Sequence, residues 1–276
     1  MQRPCRRLPL PLPLPLRRAV EASHRSHADV CTDADGRTDP HVNPTSVTTS
    51  MTTPTRLIFL PGVGGNPAFW QPAANAIALP AERVLLGWPW FGVASAADMP
   101  PDAAGSMQDL VDAVTPHMDQ PCALIAQSMG GVVAVLAALQ RPEHLTHLVL
   151  VATSGGVPID DLRAHDWRAD FIRSNPAFPQ WMAHERWDLA PQLASLRAPA
   201  LLLWGDADPI SPVAVGERLQ GLLPHAPLHV LPGGAHDMAQ MHASAVAAHI
   251  TRHLLAGGAP LPPSTPPPLR GHAGAA

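Results

Sequence analysis

Between Cys122 and Leu139 the chain leaves itself one local solution. The apolar run Cys122-Ala123-Leu124-Ile125-Ala126 meets Gln127-Ser128-Met129-Gly130-Gly131 and resumes as Val132-Val133-Ala134-Val135-Leu136-Ala137-Ala138-Leu139. A short apolar run, a cluster of small residues and a longer apolar run read as strand, sharp turn and helix. So tight a turn forces Ser128 into a strained backbone conformation, which needs small residues two positions to either side. Ala126 and Gly130 meet that need. The turn lifts the serine hydroxyl above the sheet at a helix N-terminus, where developing negative charge is favoured.

The same grammar recurs along the chain. Arg56 to Leu60 is a strand ending in the loop Pro61-Gly62-Val63-Gly64-Gly65-Asn66, and a helix is expected from Ala68 to about Leu79. Glu82 to Leu86 is the next strand, opening into the aromatic loop Gly87-Trp88-Pro89-Trp90-Phe91-Gly92. A helix over Gly105–Met118 places Met107, Leu110, Val111 and Val114 on one face. Leu145–Ala152, Ala200–Trp204 and Leu228–Leu231 are further strands, followed by helices over Val213–Leu223 and Met238–Leu255. Strands that are apolar throughout and alternate with helices indicate a parallel sheet covered on both faces. Functional groups in such sheets gather at the C-terminal ends of the strands, so Trp88, Trp90 and Phe91 are candidates for a pocket wall. Residues 158–198 interrupt the alternation with tryptophans, prolines and charges of both signs.

Of the 276 residues, about 51–255 form one folded domain, and Pro-rich segments over 1–50 and 256–276 read as extended tails. The Leu-Pro alternation at Leu8–Leu16 forbids both a helix and the continuous apolar run of a secretion signal. Met51 is a natural start for the folded unit. Residues 51–255 carry 10 arginines, no lysine and 17 acidic residues, a net charge of −7. That charge argues against a nucleic-acid or anionic-membrane surface. No apolar run reaches membrane-spanning length. Three cysteines, two in the leading tail and Cys122 on a core strand, make no disulfide framework, and a cytoplasmic location is expected.

A serine hydroxyl attacks a carbonyl only with a base beside it, and the base needs an anion to orient it. Among 15 histidines, only His236 follows both a strand and a glycine turn, Pro232-Gly233-Gly234-Ala235. Asp206 and Asp208 both follow the preceding strand. Asp208 opens Asp208-Pro209-Ile210-Ser211-Pro212 and Asp206 suits a turn former, and the residues by themselves leave both open as the acid. His242, His249 and His253 share a helix face, but without accompanying carboxylates or cysteines they read as a solvated face and not a metal site.

Ala126-Gln127-Ser128-Met129-Gly130, the loop Pro61-Gly62-Val63-Gly64 with Trp70 beyond it, and the order Ser128…Asp208…His236 together resemble the α/β-hydrolase superfamily. The chain departs from the usual pattern in Ala126 for glycine, Pro61 for histidine and Ala235 for glycine. The resemblance covers about 51–255. It implies an α/β-hydrolase fold with a mostly parallel, doubly wound sheet and a small cap over about 158–198. It also implies a Ser128–His236–Asp208 triad and an oxyanion hole built from the backbone N–H groups of Val63 and Met129. Trp167 and Trp181, in the cap, join the candidate pocket residues. The implied activity is hydrolysis of a carboxylic ester or thioester through an acyl-enzyme, with a small-molecule acyl substrate and no metal or organic cofactor. Carbon–carbon bond hydrolysis, acyl-carrier-protein methyl ester cleavage, lyase-like synthesis and a non-turnover ligand-binding role remain open alternatives, as does the oligomeric state.

Overall fold

A computed structural model describes residues 53–93, 98–99, 105–175, 178–223 and 225–256. The expected tails, with Met51, Cys5 and Cys31, lie outside the described residues. Among the described residues six strands form one parallel sheet in the order β2-β1-β3-β4-β5-β6. They are β1 Arg56–Leu60, β2 Glu82–Leu85, β3 Cys122–Gln127, β4 Leu145–Val151, β5 Ala200–Gly205 and β6 Leu228–Leu231. The order reverses beside β1, so the crevice at the carboxyl ends of β1 and β3 is the point where such sheets bind ligands.

Alternate residues of each strand serve two separate cores. Leu57, Phe59, Ala123, Ile125, Val149, Val151, Leu201 and Leu203 face Trp70 and the helices α1 (Gln71–Ala76), α8 (Met238–Met241) and α9 (Ala243–Leu255). Ile58, Leu60, Leu124, Ala126, Leu148, Leu150, Leu202 and Trp204 face α2 (Met107–Val114), α3 (Met129–Gln140) and α7 (Val213–Leu222). Helix α3 is apolar on every side, as a helix enclosed by sheet and neighbours must be, and is buried from Met129 to Ala138. The interruption at 158–198 carries three short helices, α4 (Arg168–Ser174), α5 (Trp181–His184) and α6 (Ala190–Leu193).

Three expected helices are shorter than their sequence pattern. The first begins as a 3₁₀ turn over Pro67–Trp70, with the Asn66 side chain accepting the Ala68 N–H, and ends at Ala76. Beyond Ala76 the Arg83 guanidinium donates to the carbonyls of Ala74, Ile77, Leu79 and Ala81, satisfying groups left without helical N–H partners. The helix expected over 105–118 starts after the Ser106 cap and gives way at Thr115 to a 3₁₀ turn. Pro116 has no N–H to continue the ladder. The closing helix is broken at His242, whose φ of −110° and ψ of 35° lie outside helical values.

The end of the sheet remote from Ser128 holds a buried histidine cluster. His147 of β4 is 0% exposed and meets His253 of α9 edge-on at 5.1 Å. His229 of β6 stacks against His249 at 4.5 Å, and Arg252 donates to His249. His147 Nδ1 reaches the Thr146 hydroxyl and His253 Nε2 the Pro199 carbonyl. Burial pushes His147 and His253 down to about 4, helped at His147 by the His253 imidazole and opposed at His253 by its bond to the Pro199 carbonyl. The folded protein therefore holds these rings neutral, whereas the unfolded chain protonates them below about pH 6.5. Their contribution to stability is complete above pH 6.5 and is lost as pH falls from there towards 4. The loss is on the order of 3 kcal/mol for each fully buried ring. Urea midpoints measured from pH 7.5 to pH 4.5 should fall steeply, and His147→Phe should flatten that slope. Parallel curves for the two proteins would show that the cluster does not set the acid limit.

Candidate active site

Three loops at the carboxyl edge of the sheet bring Ser128, Asp208 and His236 together. Ser128 sits between β3 and α3 with φ 54° and ψ −126°, a strained conformation costing on the order of 1–3 kcal/mol. The end of β4 braces it from both sides. The Ser128 N–H donates to the Val151 carbonyl at 3.1 Å, and the buried Thr153 hydroxyl donates to the Ser128 carbonyl at 2.5 Å. The small residues of the turn are required by close approach. A Cβ on Gly130 would lie 2.3 Å from the Pro61 carbonyl oxygen, and one on Gly131 would lie 2.4 Å from Thr153 Oγ1.

Asp208 and His236 come from the loops after β5 and β6, which pack backbone against backbone. A Cβ on Gly205 would stand 2.0 Å from the Gly234 carbonyl oxygen. The Ala207 N–H donates to that same carbonyl, and Asp206 accepts the Gly233 N–H at 2.7 Å. Asp206 thus pins the two loops together. The Asp208 side chain is fully enclosed. Its Oδ1 accepts the N–H groups of Ile210 and Ser211, and its Oδ2 stands 2.7 Å from His236 Nδ1. A carboxylate only accepts, so Nδ1 carries the proton and Nε2 is left as an acceptor. Ser128 Oγ lies 2.9 Å from that Nε2. The imidazole is 24% exposed, open enough for a substrate to approach.

Gln127 is a polar residue of this site that the sequence did not single out. It is 4% exposed, and its amide donates to the His236 carbonyl at 2.9 Å, tying the imidazole loop to β3. Its place beside the nucleophile was the only available signal. Thr153, whose hydroxyl holds the Ser128 carbonyl, was not singled out either.

A cavity of about 460 Å³ opens over Ser128 and His236. Its walls are Pro61, Val63, Phe69, Pro209 and Ile210, with Gln127, Asn66 and Asp237 as the polar members. Val63 lines it, and Met129 begins the helix directly behind Ser128. The candidate aromatics lie elsewhere. Trp88 and Trp90 are buried, and their indoles donate to the Gly62 and Val63 carbonyls at 2.9 and 2.8 Å. Trp90 packs on Phe178 and Trp181, and Trp167 packs on Phe171. Phe91 is 49% exposed. None of these five lines the cavity: Trp88 and Trp90 fasten the loop after β1, Trp181 packs on Trp90 from the cap, Trp167 packs within the cap, and Phe91 is exposed. The described residues of 158–198 contribute none of the lining residues either.

The expected helix-face trio of histidines is split, with His253 against His147 and His249 against His229. Among the described residues no group of His, Cys, Asp and Glu is placed to hold a metal ion. No helix among them is long and apolar enough to cross a membrane. Cys122 is buried, and burial pushes its thiol up to about 12, the wrong direction for a nucleophile.

A doubly wound parallel sheet carrying a serine on a strained strand–helix turn, with histidine and aspartate on later strand ends, defines the hydrolase class. The comparisons agree. The family profile described as serine aminopeptidase, S33, matches residues 92–186, which hold Ser128, and that of TAP-like protein matches 167–265, which hold Asp208 and His236. The uncharacterized hydrolase YugF of Bacillus subtilis is 25% identical over 190 residues, covering 52% of this chain and 70% of YugF. A pimeloyl-acyl-carrier-protein methyl ester esterase of Legionella pneumophila is 23% identical over 192 residues, 57% of this chain and 77% of the esterase. The crystal structure of a lipase-esterase related protein from Clostridium acetobutylicum superposes with a TM-score of 0.59 at 16% identity, covering 73% of this chain and 95% of that one. The fold is the α/β-hydrolase fold, and the chain belongs to the α/β-hydrolase superfamily.

Proposed function

We propose that the protein hydrolyses uncharged carboxylic esters or thioesters by two-step acyl transfer. The observation that carries this reading is the unbroken relay Asp208–His236–Ser128, with spacings of 2.7 and 2.9 Å. His236 Nε2 takes the proton of the Ser128 hydroxyl as Oγ attacks the acyl carbon, and Asp208 steadies the imidazolium that forms. The carbonyl electrons move onto oxygen, where the Val63 and Met129 N–H groups receive the charge. His236 then gives its proton to the departing alkoxide or thiolate. Water, deprotonated by the same ring, attacks the acyl-enzyme, and loss of Oγ releases the acid.

The cavity supports the restriction to uncharged acyl groups. Its walls are mainly apolar, no arginine lines it, and Asp237 stands at its edge. A carboxylate on the substrate would lose its water there and meet no cation. Initial rates with p-nitrophenyl butyrate and with its anionic counterpart, p-nitrophenyl hemisuccinate, test the reading. The butyrate ester should turn over with a kcat/KM at least about tenfold higher. A preference for the hemisuccinate would overturn the assigned substrate class, and no turnover of either would count against ester hydrolysis.

A further inference from the structure

We propose that Trp88 is a positioning residue for the oxyanion: its indole N–H holds the Gly62 carbonyl and thereby aims the Val63 N–H at the reacting carbonyl. The inference rests on the ester-hydrolysis reading above and assigns a role within it to a side chain that does not touch the cavity. In a trans peptide the C=O of one residue and the N–H of the next point in opposite directions. The described residues contain no cis peptide bond. Whatever fixes the direction of the Gly62 carbonyl therefore fixes the Val63 N–H.

Two donors do so. Trp88 Nε1 lies 2.9 Å from the Gly62 carbonyl oxygen, and the Gly65 N–H lies 3.0 Å from it. The Gly65 contact is local to the loop and turns with it. Trp88 is anchored outside the loop, 4% exposed and tilted against the fully enclosed Trp90 at 6.4 Å. Its backbone N–H donates to the Gly65 carbonyl, so the loop and the aromatic pair brace each other. On its other side the loop touches the nucleophile. A Cβ on Gly62 would lie 2.6 Å from Gln127 Oε1 and 3.2 Å from Ser128 Cβ. The peptide that Trp88 orients is thus adjacent to Ser128, and Val63 lines the cavity beside it.

A peptide plane so held is preorganised, and donors already in place stabilise developing charge without reorganising during the reaction. Trp88→Phe removes the N–H while keeping a ring. As a second variant, benzothienylalanine installed at position 88 replaces only the N–H by sulfur and preserves the packing. Both should lower kcat by about 10- to 100-fold and leave KM within about twofold. Affinity for a trifluoromethyl ketone, which forms a tetrahedral oxyanion on the serine, should fall by the same factor as kcat. The melting temperature of the benzothienyl variant should stay near that of the parent. Unchanged kcat and unchanged ketone affinity in the folded variants would overturn the role, as would a rise in KM alone, which would make Trp88 a substrate contact. Fluorophosphonate labelling of Ser128 in the parent separates the two claims. With labelling present, a silent Trp88 variant defeats only this inference; with labelling absent, the reading of the site falls and this inference with it.

Discussion

Ser128→Ala is expected to lower ester turnover by about 10⁴- to 10⁶-fold and to leave the fold intact. The two halves of that expectation have separate physical grounds. Without Oγ no acyl-enzyme forms, and the remaining oxyanion donors and binding contacts give only a small residual rate over water. The fold should survive because the Ser128 side chain makes no capping bond to α3. The strained φ of 54° is held by backbone contacts to Val151 and Thr153, and alanine retains both. Initial rates with p-nitrophenyl butyrate and a thermal melt on the same sample check both halves. A variant within tenfold of the parent rate would remove Ser128 from the chemistry.

Asp208→Asn is the second large effect, expected at about 10⁴-fold in kcat near neutral pH. The change is isosteric, and the asparagine carbonyl can still accept the Ile210 and Ser211 N–H groups that Oδ1 now accepts. The group facing His236 Nδ1 at 2.7 Å becomes an NH₂ donor in place of an acceptor. The imidazole must then carry its proton on Nε2, which points a donor at the Ser128 hydroxyl and leaves the nucleophile without a base. Asp206→Asn provides the contrast. Its carboxylate accepts only the Gly233 N–H among these loops, and an amide oxygen can do the same, so activity should stay within about tenfold. If the Asp206 variant loses more than the Asp208 variant, the acid has been assigned to the wrong residue.

The sheet was legible in the sequence because each strand carries an apolar stretch towards its carboxyl end, followed by glycine, proline or a polar turn. β1 and β6 match their expected limits, and β2, β4 and β5 differ by one residue at one end. Helix ends were less legible, since some carbonyls beyond them are taken by side chains further along the chain. Nothing local to Ala76 announces that Arg83, seven residues away, will take its neighbours' carbonyls. The positions of Ser128, Asp208 and His236 could be read because parallel strands deliver their C-terminal ends to one edge whatever their spacing along the chain. The roles of Trp88 and Trp90 could not. An aromatic loop at that edge serves equally well as a wall or as an anchor, and only the direction of two indole N–H groups separates the alternatives. Gln127 and Thr153 were hidden for the same reason, since each acts on a backbone carbonyl that sequence does not locate.

The account stands on an activated hydroxyl at one position, and peptide mass spectrometry after brief exposure to a fluorophosphonate probes it directly. The adduct is predicted on the peptide containing Ser128, and should form at least about 10³-fold more slowly when His236 is replaced by alanine. An adduct on another residue with Ser128 unmodified, or equal labelling rates with and without His236, would contradict it.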